Sequence, residues 1–340
     1  MAAGYVPSSA PADVAPEPRR RPRNVIGPAD KVFAAVASLS GGAVLVVMGT
    51  VGLFLAIRAW PALQEAGWGF LTTQEWNPGS GRFGIAAVLF GTVTIGLIAV
   101  VISIPFAIAT ALFISEYAPD RWKRTLISLV DLMAAVPSVV YGLWGAFFLQ
   151  EYAAGVAQWM STYVGWIPIF DMPGRDPRDP LGTLTDFKSS AFMAGVVVAM
   201  MVTPIACSVM REAFSQAPPG EREGAYALGA TRWGMIRDVV LPYGRGAMIG
   251  GTMLGLGRAL GETITVAMII SPIFEIQWHI LAKGGISVSS LIALRYGDSG
   301  TFSLSALFAA GLALFLMTMA VNFAAAIIVS RSRSGAGSEA

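Results

Sequence analysis

Sulfur and imidazole are nearly missing from this chain. Among 340 residues there is one cysteine, Cys207, and one histidine, His279. A lone cysteine makes no internal disulfide, and a lone histidine builds no zinc cluster. Those counts exclude disulfide scaffolds, zinc hydrolases and thiol–histidine proteases. Charge is scarce too, at 13% of residues, where a soluble domain carries about a quarter. With 55% hydrophobic residues, such a surface does not stay in water. The formal net charge of +2 is too small, and its sites too scattered, to argue for nucleic acid. No G-x-x-x-x-G-K-S/T phosphate loop occurs, so ATP has to be bound by another chain if it is used at all. These absences leave a membrane protein.

Six long apolar runs are present, over 31–57, 84–114, 125–149, 189–210, 246–271 and 302–330. Each exceeds the ~20 residues that carry a helix across a ~30 Å hydrocarbon core, where unpaired backbone is not tolerated. They predict an all-α protein with six transmembrane helices, in a transmembrane domain over 31–330. Residues 1–30 are rich in Pro, Ala and Ser, with the basic cluster Arg19, Arg20, Arg21 and Arg23, and read as a disordered tail. A cleaved signal peptide fits less well. The run from Val32 to Ile57 is too long for a signal core and lacks a clear small-x-small site.

Orientation follows from Lys and Arg. One side would hold Arg19, Arg20, Arg21, Arg23, Lys31, Arg121, Lys123, Arg124, Arg211, Arg222, Arg232, Arg237, Arg245, Arg331 and Arg333, which is 15. The other would hold Arg58, Arg82, Arg175, Arg178, Lys188, Lys283 and Arg295, which is 7. Both termini, including a short tail over 331–340, are therefore expected in the cytoplasm. The aromatic stretch Ala153–Phe170 is expected as an interfacial helix on the outer side, since a seventh span would invert the later loops. The charged, proline-rich stretch Asp171–Pro180 reads as an outer loop. Pro105 and Pro137 are expected to kink their spans. The glycines of the fifth run suit close helix contact or an unobstructed path.

The loop over 214–245 is unlike an ordinary polar connection. Its apolar and charged residues alternate at helical spacing, with Pro219 and Gly220 at a start. Gly229 suits a C-terminal cap, Thr231 an N-cap and Pro242 a stop. Two short helices joined at Gly229–Thr231 are predicted, exposing charge beside Ala, Leu and Trp as a surface for a partner groove.

These residues carry a resemblance. Glu223-Gly224-Ala225, three residues, Gly229, nine residues, Val239, one residue and Leu241-Pro242 resemble the EAA loop of ABC importer permeases. Gly224 replaces an Ala, and Val239 an Ile. Three further segments are similar to phosphate permeases of the PstC type over about residues 30–330. They are Trp76-Asn77-Pro78 with Phe83-Gly84 and Gly91-Thr92, then Val136–Gly142, then Leu256–Thr263. The resemblance implies the type I ABC importer permease fold and a bacterial plasma-membrane location. It also implies a partner permease of the PstA type, two ATPase subunits of the PstB type that bind ATP and Mg, and an external phosphate-binding protein of the PstS type. Glu223, Gly224, Ala225, Gly229, Leu241 and Pro242 would couple to the ATPase. No cofactor is implied for this chain.

Arg258 and Glu262 are the charged residues inside the fifth run, one turn apart. Buried ions in a bilayer cost a few kcal/mol, so both are expected to face protein or a water-filled cavity. Two readings stand. They pair with each other and lock helices, or they line an anion path in which the planar guanidinium grips an oxyanion and the carboxylate keeps the site weak. Lesser candidates are Asp131 as an interface contact or cap, Asn322 as an interhelical hydrogen bond, Ser138 and Tyr141 as path-lining or packing residues, and His279 as a solvated loop side chain. Competing functions are a permease for another oxyanion, such as molybdate or sulfate, and a gradient-driven secondary transporter. The latter is disfavoured by a single buried acid and no clear internal repeat.

Overall fold

Proline decides where the long apolar runs bend. In the computed structural model, which describes residues 27–172, 174 and 184–333, the first run is a single helix α1 (Pro28–Ala66). It begins three residues ahead of the expected span and continues past Pro61. The remainder of the expected N-terminal tail, most of the Asp171–Pro180 loop and residues 334–340 lie outside the described residues. The chain divides into two compact units, 1–51 and 52–340. In the first, the side chains of α1 are exposed throughout, Phe33, Leu39 and Leu45 among them, as expected of a helix solvated by lipid or by another subunit.

The second unit opens with the end of α1, the short α2 (Gly69–Thr72) and an antiparallel hairpin of β1 (Trp76–Asn77) and β2 (Arg82–Phe83). Trp76 and Phe70 both pack edge-on to Phe83, which in turn meets Phe302. The Trp76–Gly84 segment is thus a small aromatic plug. Next comes α3 (Ala86–Leu112), which passes Pro105 without a break and ends in a wide π turn over Phe113–Tyr117.

The third run departs from expectation. It divides into α4 (Asp120–Ala135) and α5 (Ser138–Trp144), which continues through a π turn at Gly145–Leu149 into α6 (Gln150–Val164). The two limbs meet at 86°. Val136 precedes a proline, so its backbone is driven out of the helical region, and it sits at φ −62°, ψ 129°. Hence 125–149 is not one straight span, and Ala153–Val164 continues the second limb instead of forming a separate interfacial helix.

α7 (Ala191–Ser215) is the most buried long helix and packs along α3. A Cβ on Gly195 would lie 2.4 Å from Ile98, so a larger residue there would force the two helices apart. Then follow α8 (Pro219–Ala227), α9 (Arg232–Met235), a π turn over Ile236–Val240 and α10 (Leu241–Gly261), which packs on α7. Pro242 does not stop the helix, as the sequence suggested. Proline lacks an N–H and crowds the preceding turn, and the wide π turn just before it accommodates both defects. The chain closes with α11 (Ile264–Ile269), α12 (Val288–Arg295) and α13 (Thr301–Arg333), which extends beyond the expected end at residue 330.

Among the described residues, four helices are long and apolar enough to span a bilayer: α1, α3 with its π turn, α7 and α13. The bent pair of α4 with α5–α6 qualifies when taken together. α10 covers most of the fifth run, but it is glycine-rich and contains Arg245 and Arg258. The run to residue 271 is interrupted after Gly261, where Glu262 is extended. Three buried clusters hold the second unit together. One lies between α3, α7 and α6, one joins the aromatic plug to α12 and α13, and one lies under the 217–240 segment.

Candidate permeation site and coupling hairpin

Two helix breaks meet, and polar groups gather where they meet. The break at Pro137 starts α5 at Ser138, and the break after Gly261 turns the backbone of Glu262 out of α10. The Thr265 hydroxyl lies 3.0 Å from the Ser138 carbonyl and 2.9 Å from Glu262 Oε1, so its one hydrogen is shared between them. Glu262 Oε1 also accepts from the Thr265 backbone N–H at 3.3 Å. Ser289 donates to the Glu262 carbonyl at 2.6 Å. The Glu262 carboxylate is therefore a cap on the first turn of α11, where a negative charge is stabilised by the helix dipole.

That arrangement separates the charged pair. Four residues apart on a continuous helix, Arg258 and Glu262 would be neighbours. Because α10 ends at Gly261 and Glu262 sits at φ −67°, ψ 126°, the carboxylate turns away, and no ion pair forms between them. The self-satisfied pair is not what the structure contains. Arg258 is exposed instead, and lines a recess of about 490 Å³ with Asn322, Gly250, Met253, Leu254 and Ile205.

The lesser candidates resolve individually. Tyr141 donates to the Met133 carbonyl at 3.0 Å, bridging the Pro137 break. Asp131 accepts from Ser208 at 3.1 Å, tying α4 to α7. His279 is not simply solvated: the ring is half-buried, and its Nδ1 is buried with no partner among the described residues. Gly91 and Thr92 are structural. A Cβ on Gly91 would lie 2.2 Å from the Ile286 carbonyl, and Thr92 Oγ1 accepts from the Val288 N–H at 2.9 Å.

At 217–242 the predicted pair of helices is present. Gly229 ends α8 with φ +85°, a left-handed conformation that strains any L side chain. The Ala230 N–H reaches the Ala225 carbonyl at 3.0 Å and the Gly229 N–H reaches that of Tyr226 at 2.9 Å, a Schellman closure. Thr231 then caps α9 by accepting from the Gly234 N–H at 3.1 Å. Glu223 and Gly224 face outward, Ala225 packs inward, Leu241 is half-buried and Pro242 is exposed. Leu228 is 91% exposed at the tip, with Tyr226 and Trp233 also uncovered.

Sequence reasoning missed the ion pair that holds this hairpin. Arg222 on α8 donates to Glu116 Oε2 at 3.0 Å, and the Glu116 side chain is only 4% exposed. The available signal was an acid placed just after the apolar run ending at Ile114.

Comparison with known proteins places this arrangement. The family described as binding-protein-dependent transport system inner membrane component matches residues 103–334. A phosphate transport system permease protein PstC of Xylella fastidiosa is 36% identical over 305 residues, covering 89% of this chain and 91% of that protein. PstC 2 of Mycobacterium tuberculosis is 35% identical over 310 residues, covering 90% and 93%. A probable PstC of Methanocaldococcus jannaschii is 35% identical over 287 residues, covering 82% and 87%. These relatives are transport permeases, not enzymes.

Among solved structures, a bacterial alginate ABC transporter bound to its alginate-loaded periplasmic protein aligns with a TM-score of 0.57 at 15% identity, covering 89% of this chain and 96% of that one. A second structure, of an ABC transporter importing alginate, gives 0.54 at 16%, covering 88% and 99%. At such identities the likeness speaks for the ABC importer permease fold alone. The chain belongs to the binding-protein-dependent transport system inner membrane components, as a multi-pass permease of the PstC type.

Proposed function

We propose that this chain is one transmembrane half of an ATP-driven importer of inorganic phosphate. The supporting observation is Arg258, freed from Glu262 and presented to a recess beside Asn322. Phosphate is a tetrahedral oxyanion, and the planar guanidinium offers it two parallel donors. Glu262 acts at one remove. By capping Thr265 it keeps α11 turned off the line of α10 and leaves Arg258 without a competing carboxylate on its own helix.

Specific partners follow from the same reading: a second permease of the PstA type, two PstB-type ATPase subunits holding ATP and Mg, and a PstS-type external phosphate-binding protein. The hairpin carrying Glu223, Gly224, Ala225, Gly229, Leu241 and Pro242 docks in the ATPase cleft. The hairpin and both termini face the cytoplasm, and six crossings result when the α4 to α6 pair and the α10–α11 segment each count as one.

Radiolabelled phosphate uptake tests the reading. Arg258→Gln preserves hydrogen bonding without charge, and uptake should fall by about tenfold to a hundredfold, the worth of one charged hydrogen bond, with the complex intact. Arg258→Lys should recover part of it, because a point charge does not reproduce the fork. Undiminished uptake by Arg258→Gln would remove Arg258 from the path.

A further inference from the structure

Both helices of the hairpin hold the same turn of the second apolar helix. From α8, Arg222 pairs with Glu116; from α9, the Arg232 guanidinium lies over the Tyr117 ring at 4.8 Å. Glu116 and Tyr117 are adjacent in the π turn that ends α3. We propose that this turn is the anchor through which the hairpin moves α3, with Arg222 and Arg232 as its two positioning residues. The proposal rests on reading 219–242 as the ATPase-docking hairpin.

Arg222 is fixed on three sides. Besides Glu116, it donates through Nη2 to the Phe214 carbonyl at 2.6 Å and through Nε to the Ala217 carbonyl at 3.1 Å. Those acceptors lie at the end of α7, so one planar group joins α8 to the ends of both α3 and α7. The Glu116 carboxylate depends on that group. Its other oxygen, Oε1, is buried without a partner among the described residues. Were the hairpin to move while α3 stayed, a buried carboxylate would lose the one cation it pairs with among the described residues, which is strongly unfavourable. Displacement of the hairpin as a unit with α3 avoids that cost.

The second grip prevents pivoting about the first. Arg232 stands across the Schellman turn from Arg222, and just after it Met235, Ile236 and Val240 pack into the cluster with Ala111, Leu112, Met210 and Phe214. Movement then passes through one packed body: α3 lies along α7, and α7 along α10, which carries Arg258. The anchor thus links the docking surface to the proposed anion contact through packed helices. Spatial continuity alone does not establish coupling, so the test has to measure coupling itself.

The experiment uses the complete complex in proteoliposomes, with phosphate-loaded binding protein on the face opposite the hairpin, and records ATP hydrolysis and phosphate uptake together. The double variant Glu116→Gln with Arg222→Met removes both charges, so no unpaired ion is left to unfold the permease. ATPase subunits should co-purify as in the parent, while phosphate moved per ATP falls about tenfold, within the range of typical coupling energies. Arg222→Lys alone should fall between the two. Tyr117→Leu keeps apolar bulk but loses the guanidinium contact, and should show a smaller loss of the same kind. An unchanged ratio of phosphate to ATP in the double variant would overturn the anchor. Loss of ATPase subunits from an inserted permease would overturn it too, since the pair would then be shaping the docking surface. Failure of the hairpin reading itself is separable: Gly229→Val would then leave both subunit recovery and uptake untouched.

Discussion

The Glu262 carboxylate sits on Thr265, 2.9 Å from its hydroxyl and 3.3 Å from its backbone nitrogen, and not on Arg258 one turn earlier. A carboxylate used as a helix cap and a guanidinium left exposed have separable functions, and substitutions at the two positions should behave differently.

Glu262→Gln keeps an oxygen to accept from Thr265 and loses only the charge at the start of α11, worth about 0.3–1 kcal/mol. Phosphate uptake should stay within about fivefold of the parent, by the same magnitude. The double variant Arg258→Gln with Glu262→Gln should be as defective as Arg258→Gln alone. Recovery in the double variant would mean that the two charges had been needed only to neutralise each other.

Thr265→Val is nearly isosteric but removes the hydroxyl between two helix breaks. The Ser138 carbonyl and Glu262 Oε1 would each lose a donor, at a cost of about 1–3 kcal/mol for the groups left short. Thermal unfolding of the detergent-solubilised complex should shift downward, and Thr265→Ser should restore most of the loss. An unshifted transition for Thr265→Val would show that the junction of the breaks is held by packing.

Gly229→Val places a β-branched residue at φ +85°, where an ordinary L residue already pays about 1–2 kcal/mol. The protein should still insert, since no span is altered. Recovery of ATPase subunits with the membrane complex should fall, and uptake with it. Equal recovery from parent and variant membranes would argue that the α8–α9 turn tolerates rearrangement without consequence for docking.

Topology is checked by labelling intact cells with an impermeant thiol reagent after Cys207→Ala. Cysteine introduced at Ser80, in the turn between β1 and β2, should react; cysteine at Gln216, exposed just ahead of α8, should not. Reaction at Gln216 from outside would reverse the assignment of the hairpin to the cytoplasm.

Legibility varied with the range of the interaction concerned. The hairpin was readable because its signals are local: Gly229 has to adopt positive φ to end α8, and Thr231 caps a helix that starts at the next residue. Pro137 was readable as a disturbance, though a kink and an 86° break look alike in sequence, since the angle depends on what α4 and α5 each pack against. Pro242 misled, because the π turn that lets the helix run through it is a property of the folded backbone.

Run lengths, the scarcity of charge and the local signals at Gly229 and Thr231 by themselves determined a helical membrane protein with a hairpin between its fourth and fifth runs, and the resemblance of that hairpin implied a permease. Each of those features is set within one helix or one turn, where backbone hydrogen bonding and the demand for apolar surface in lipid act on neighbouring residues. Only the tertiary structure decided which charges meet. Glu116 and Arg222 lie 106 positions apart and pair because α3 and α7 end side by side, while Arg258 and Glu262, four positions apart, part because the helix stops between them. Electrostatic attraction acts through distance in space, and the fold alone converts sequence separation into that distance.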